Sequence, residues 1–223
     1  MTETHIKSIP WDTAALGMEC YEIGQASADV LARALLTPGH YTVRVNPLAS
    51  KELLHTHNFY YCDSLIEPYC LRGQFRYYTT EGIELSRETA LENLLLISNG
   101  AFAHGRFHRD FNVPTRFADL RYDNWLKQLY QKDNVYGLLY CGDLAGFIGY
   151  HENKLLLNAM ASSHRGKGLA KYFWSAACQK IFDAGHDEVS SSISVTNTAA
   201  LNLYASLGFR FRSPVDIYHR MVP

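Results

Sequence analysis

The stretch Leu155-Leu-Leu-Asn-Ala-Met-Ala-Ser-Ser-His-Arg-Gly-Lys-Gly-Leu-Ala170 constrains this chain more than any other. Its apolar start reads as a buried strand, its middle as a short basic glycine loop, and its end as the opening of an amphipathic helix. A strand that feeds a helix through glycines is a device for holding phosphates. The first N–H groups of the helix lack intrahelical partners, and the helix dipole adds positive potential where they point. Gly166 and Gly168 let an anion approach the backbone where a side chain would stand in the way. Arg165 and Lys167 can add charge-assisted contacts. A plain strand-to-helix turn would look the same in isolation. Two phosphate motifs are excluded by spacing: there is no Gly-Lys-Ser/Thr, and the glycines do not form Gly-x-Gly-x-x-Gly.

The 223 residues suffice for one large domain or two small ones. A hydrophobic content of 47% with 19% charged residues is that of a soluble globular protein. The formal net charge of -1 argues against bulk binding to nucleic acid or to an anionic membrane, so any basic site is local. No apolar run approaches a membrane span, and Met1–Lys7 lacks the charged-then-apolar pattern of a leader. The five cysteines are scattered, with no Cys-x-x-Cys, which suggests reduced thiols in a cytoplasmic protein. His55-Thr-His57 and His104…His108 lack a supporting carboxylate or cysteine set, so no metal is expected.

In chain order, Ile9–Thr13 reads as a turn and Met18–Ile23 as a strand. Ser27 caps a helix through Val30, Leu31, Ala34 and Leu35 that stops at Thr37-Pro-Gly39. His40–Val45 alternates as a strand, Leu48–His55 reads as a short helix, and Phe59–Ile66 and Tyr69–Arg72 read as strands or as one strand with a break. A loose internal repeat joins this part to the C-terminal end. Val45-Asn46…Ala49…Asn58-Phe59 echoes Val195-Thr-Asn197…Ala200…Gly208-Phe209, without a glycine loop before Asn46.

A second unit begins near Thr79. A helix led by Ser86 carries Leu91, Leu94, Leu95 and Ser98, and another runs from about Thr115 to Tyr130. Val135–Tyr140 and Leu144–Tyr150 form a hairpin across Cys141-Gly142-Asp143. After the glycine loop, Leu169, Phe173, Ala177 and Ile181 mark one helix face that ends at Gly185. Val189–Val195 is a strand, Thr198–Leu207 a helix and Ile217–Met221 a last strand. The expected division is residues 1–78 as an α/β extension and 79–223 as the main domain.

Arg165-Gly-Lys-Gly-Leu-Ala170 fits Arg/Gln-x-x-Gly-x-Gly/Ala, and Asn197-Thr-Ala-Ala200…Tyr204…Gly208-Phe209 fits Asn-x-x-Ala-x-x-x-Tyr-x-x-x-Gly-Phe. Together, in this order, they resemble the two signatures of the GNAT superfamily of N-acetyltransferases. The resemblance implies an α/β fold with a mixed, mostly antiparallel central sheet flanked by helices. The repeat then makes the extension a truncated GNAT half without a coenzyme site. The resemblance also implies that acetyl-CoA binds at Asn158, Ala159, Met160 and Ala161 on the strand, at Arg165, Gly166, Lys167, Gly168, Leu169 and Ala170 in the loop, and at Asn197, Ala200 and Tyr204. Tyr204 is the implied general acid. A phenol suits the task, because its ordinary pKa of about 10 is not far above that of a thiol. Where relatives often have a proline before the loop, this chain has Ser162-Ser-His164. His151, Glu152 and His104 are the candidates for a base, with a water chain as the alternative.

A narrower resemblance rests on Trp11-Asp-Thr-x-x-x-Gly17 and on Ala101-Phe-Ala-His-Gly-Arg-Phe107. These blocks are similar to the nucleotide-sugar N-acetyltransferases that act on dTDP-4-amino-4,6-dideoxygalactose (TDP-fucosamine). By that resemblance Phe102, His104, Arg106 and Phe107 line the acceptor cleft, with arginine for a diphosphate and aromatics for a sugar or base. The acceptor would be a small molecule, and the protein would pair as a homodimer. Two alternatives stay open: a small amine, amino acid or protein N-terminus as acceptor, and a non-catalytic module that binds acyl-CoA.

Overall fold

A computed structural model describes residues 5–223; Met1–Thr4, part of the leader reading above, lie outside the described residues. In chain order the elements are β1 (Ile6–Ser8), α1 (Pro10–Leu16), β2 (Cys20–Ile23), α2 (Ala28–Ala34), β3 (Gly39–Val45), α3 (Glu52–Thr56) and β4 (Tyr60–Leu71). There follow β5 (Ile83–Ser86), α4 (Leu91–Ser98), α5 (Thr115–Gln131), β6 (Val135–Tyr140), β7 (Asp143–His151) and β8 (Lys154–Met160). The chain ends with α6 (Ala170–Asp183), β9 (Glu188–Ser191), β10 (Ile193–Ser194), α7 (Thr198–Ser206) and β11 (Arg210–Val222). The fold is mixed α/β. No helix of the described residues is long and apolar enough to cross a membrane.

The chain groups into two compact units, each drawn from several stretches. Of the described residues, one comprises 5–65, 103–121 and 214–223; the other comprises 66–102 and 122–213. Residues 103–121 and 214–223, expected with the main domain, therefore group with the N-terminal stretch. The reasons are local to the first unit. Phe107, Val113 and Ala118 share a buried cluster with Ala15, Leu16 and Cys20, and Asp216–Val222 pair antiparallel with Gly39–Val45.

In the first unit the strand order is β1-β2-β3-β11, with β2 parallel to β3. Its core gathers Ile23, Val30, Leu31, Tyr41, Val43, Leu54 and Phe59. The expected turn at Ile9–Thr13 is helix α1. Pro10 stands in its first turn, where no N–H is needed, and Gly17 closes it in the left-handed conformation with its N–H on the Thr13 carbonyl.

In the second unit the order is β4-β9-β8-β7-β6-β5, antiparallel except for β8 against β9. A register shift between Gly149 and Tyr150 makes a bulge in β8. It turns successive alternate residues to opposite faces: Leu155 joins the core under α6, while Leu157 and Ala159 join the core with Leu94, Tyr122 and Leu126 from α4 and α5. The expected broken strand after Phe59 is the single β4 of 12 residues. Its ladder with β9 starts at Tyr69, just past Pro68, which has no N–H to give. The last strand starts at Arg210, not Ile217, because Arg212 is held by Glu67 and Glu188, each at 2.6 Å, in a stretch whose charges look like loop.

Candidate active site

β8 is paired to β7 from Lys154 to Met160, yet it meets β9 only at Lys154–Ser190 and Leu155–Ser191. Beyond that rung the two parallel strands part. Strand alternation decides which groups the parting exposes. The Ala161 N–H donates to the Ala145 carbonyl at 2.8 Å, so the odd-numbered backbone groups after the bulge face β7. The backbone groups of Asn158 and Met160 therefore face the open edge, and those of Ala159 and Ala161 do not. Of the four strand residues expected to meet a ligand, two can do so through the backbone. The Met160 carbonyl is already engaged by Arg165 Nε at 2.8 Å, which turns that side chain back toward the strand.

The glycine loop follows. Gly166 and Gly168 both have φ of +73°, where glycine is favoured, and a Cβ at either would meet nothing within 4 Å. That is open space in front of bare backbone. Helix α6 begins at Ala170 with no side chain capping it, so its first N–H groups are available to an anion. Arg165, Gly166, Lys167 and Gly168 are exposed, whereas the Leu169 side chain is in the core under α6. A diphosphate fits this loop by space, by donors and by charge.

Asn197 caps α7, its Oδ1 accepting the Ala200 N–H at 3.1 Å. The side-chain oxygen expected to reach a ligand is thereby used to start the helix. Tyr204, two turns on, is 1% exposed. Its hydroxyl accepts a bond from Trp174 Nε1 of α6 at 3.3 Å and is hydrogen-bonded to Ser191 of β9. Ser191 is the last β9 residue on the β8 ladder, so the phenol oxygen sits where β8 and β9 part. Burial pushes the Tyr204 hydroxyl up to about 12, against the pull of the bonds from Ser191 and Trp174. It is a fully protonated donor at neutral pH.

The four residues expected at the acceptor cleft divide between the two units. Phe102 belongs to the second unit, stacked on Tyr122 at 4.6 Å. His104, Arg106 and Phe107 belong to the first. Phe107 is 0% exposed and packs beside His40 and His219, so it is a core residue and not a cleft wall. Arg106 lies over the Phe107 ring and 4.0 Å from the buried Asp12, which also holds Arg121 at 2.6 Å. His104 is exposed.

Sequence reading missed a buried polar network in the first unit. Asp110 Oδ2 lies 2.9 Å from His40 Nε2 and 2.7 Å from His219 Nδ1. Its Oδ1 accepts from the Tyr60 hydroxyl and the Asn112 N–H, both at 2.9 Å. The partners are separated by 70 and 109 residues, so no local spacing announces them. The three side chains have the chemistry of metal ligands and their ligand atoms converge within 4.8 Å. Here, however, both oxygens of the carboxylate are taken by hydrogen-bond donors at ordinary distances. Burial alone would raise the Asp110 pKa, but the bonds from His219 and His40 outweigh it and hold the carboxyl well below its usual range. An ionised carboxylate only accepts, so each facing ring nitrogen carries a proton. Burial pushes His219 down to about 3, so it is a neutral imidazole.

This has a consequence for stability. Below the ordinary histidine pKa, about 6.5, the unfolded chain takes up a proton at His219 that the folded chain refuses. Below about 4 the same holds for Asp110. Both groups therefore stabilise the fold at neutral pH and lose that contribution on acidification. Denaturant unfolding should show stability falling from pH 6.5 toward 4, with His219 contributing a slope of up to about 1.4 kcal/mol per pH unit. His219→Asn, which keeps a donor near the Nδ1 position and cannot titrate, should flatten that slope; an unchanged slope would mean His219 is not its source.

The glycine loop and the Tyr204 helix lie inside the stretch that a comparison with known families matches. Residues 105–209 match the acetyltransferase (GNAT) family model. Among solved structures, a GCN5-related N-acetyltransferase from Sphaerobacter thermophilus is similar at 14% identity and a TM-score of 0.61, over 86% of this chain and 64% of its own length. The chain thus spans less than two thirds of that relative. A Drosophila protein is similar at 12% identity and a TM-score of 0.62, over 92% of this chain and 71% of its own. A tandem GNAT protein from the clavulanic acid biosynthesis pathway is similar at 13% identity and a TM-score of 0.56, over 92% and 75%. At these identities the likeness establishes the GNAT fold. No curated protein matches the sequence.

Proposed function

We propose that the protein transfers an acetyl group from acetyl-CoA to a primary amine by direct attack. The observation that carries this is the coincidence of three features in one unit: an uncapped helix behind an open glycine loop, a strand edge bared where β8 and β9 part, and a phenol at the last rung before the parting. Acetyl-CoA supplies an acyl group on a sulfur that can leave. The N–H groups of Gly166 to Ala170 and the side chains of Arg165 and Lys167 bind its diphosphate, and the Asn158 and Met160 edge orients the pantetheine. Tyr204 holds the proton that the departing sulfur needs. This machinery lies within residues 158–204, inside the stretch 79–223. Residues 1–78 act as an extension without a coenzyme site, a truncated GNAT half; the likeness to a tandem GNAT protein and the β3–Asn46–α3–β4 order support this.

The acceptor is a nucleotide-linked 4-amino-4,6-dideoxy sugar. In support, residues of the two blocks that carry the narrower resemblance, Trp11 and Asp12 of one and Arg106 and Phe107 of the other, are packed together in the first unit. Asp12 of one bonds Arg106 of the other, and Arg121 lies over both Trp11 and Phe107. We further read the protein as a cytoplasmic homodimer that takes neither nucleic acid nor membrane as a partner. The test of the acceptor is thiol release from acetyl-CoA with dTDP- and UDP-linked 4-amino sugars beside simple amines, amino acids and peptides. Turnover with one amino-sugar nucleotide at a kcat/KM at least about a hundredfold above every simple amine is expected. Turnover with simple amines alone would overturn the sugar acceptor, and coenzyme binding without turnover on any amine would leave only a binding module.

A further inference from the structure

We propose that Trp174 and Ser191 are positioning residues for Tyr204, fixing its oxygen at the parting of β8 and β9 and holding the phenolate it becomes on giving up its proton. The proposal rests on the acetyl-transfer reading above.

Three buried polar tips meet there: Tyr204 is 1%, Trp174 6% and Ser191 6% exposed. They form one chain of donors. The Ser191 hydroxyl donates to the Leu155 carbonyl at 2.8 Å and lies within hydrogen-bonding reach of the Tyr204 oxygen, whose acidity it strengthens, while Trp174 Nε1–H donates to that oxygen at 3.3 Å. Each group is on a different element: Leu155 on β8, Trp174 on α6, Ser191 on β9 and Tyr204 on α7. The chain ends on Leu155, whose pairing with Ser191 is the last rung of the β8–β9 ladder.

The chemistry explains why two donors belong there. The acceptor nitrogen bonds to the acetyl carbon, the carbon–sulfur bond breaks with its electron pair on sulfur, and the sulfur takes the Tyr204 proton. The amine's surplus proton goes to water, and the phenolate later recovers one from water. In between, a buried negative oxygen must be held. Trp174 already donates to it, and Ser191 can do so by turning its hydroxyl away from Leu155. A buried phenol is a weak acid; these two bonds are what pull its acidity the other way.

The test uses Trp174→Phe and Ser191→Ala, with two readouts. The first is steady-state kinetics, where each variant should lower kcat about tenfold or more with KM for acetyl-CoA within about twofold. The second needs no substrate. A fluorinated tyrosine placed at 204, followed by fluorine NMR, should ionise about one pH unit higher in either variant, the shift that a tenfold loss of phenolate stabilisation implies. Ser191→Thr, which keeps the hydroxyl, should restore both. An unmoved ionisation in both variants would overturn the proposal. If Trp174→Phe fails to fold, Ser191→Ala, which removes one oxygen atom, decides alone. Failure of the acetyl-transfer reading is distinguishable, since the wild-type protein would then turn over no amine, while the ionisation readout, which needs no substrate, still reports on the two contacts.

Discussion

Tyr204→Phe is expected to lower kcat for acetyl transfer by about a hundredfold or more, the usual worth of a positioned general acid, while acetyl-CoA affinity changes little. The phenol oxygen is held by Trp174 Nε1–H at 3.3 Å. It sits at 1% exposure at the end of a parallel ladder, and burial has pushed it up to about 12. Removing it deletes a buried hydroxyl along with the acceptor for Trp174, so a loss of stability of about 1 to 2 kcal/mol should accompany the loss of rate. The two effects separate on measurement. A variant that melts slightly earlier yet turns over as wild type would show that Tyr204 is a packing residue.

The second large effect concerns the other unit. Asp110→Ala should cost about 3 to 5 kcal/mol, measured by denaturant unfolding near neutral pH. Its carboxylate accepts from His40, His219, Tyr60 and the Asn112 backbone, all of them inside the unit. Alanine would strand two imidazole N–H groups among Phe107 and other apolar neighbours, with no water to take them. Asp110→Asn keeps one acceptor oxygen and points an amide at the remaining donors, so it should fall between wild type and alanine. A loss below about 1 kcal/mol for alanine would mean that the network rearranges around the gap.

Legibility divides along the range of the interactions. The glycine loop, α6 and α7 could be read because their chemistry is local: positive-φ glycines, a cap at Asn197 and apolar residues at helical spacing. Helix α1 was equally local, with Pro10 at its start and Gly17 at its end, but its 7 residues are too few for a periodicity to show. β11 was hidden for its first half because the partners that make Arg210–Ser213 a strand, Glu67 and Glu188, are distant in sequence. The loop 101–110 misled for the same reason. Its His, Arg and Phe residues look like a solvent-facing cluster, whereas Phe107 is fully buried and Asp110 anchors histidines from β3 and β11. At the site itself, residue types pointed to the loop and to Tyr204. Only the register of β7 against β8 tells which backbone groups face the parting, and only three-dimensional packing brings Trp174 and Ser191 to the phenol.

The central claim is that the loop at Gly166–Gly168 holds the diphosphate of acetyl-CoA, and calorimetric titration tests it most directly. Gly168→Asp is the informative variant: aspartate tolerates the positive φ better than most residues, and it places a negative charge in the open space before the loop. The account predicts that the wild-type chain binds one acetyl-CoA and that Gly168→Asp, still folded by its circular dichroism melt, binds at least about tenfold more weakly, a difference of about 1.4 kcal/mol. Equal affinity in the two proteins, or no binding by either, would contradict it.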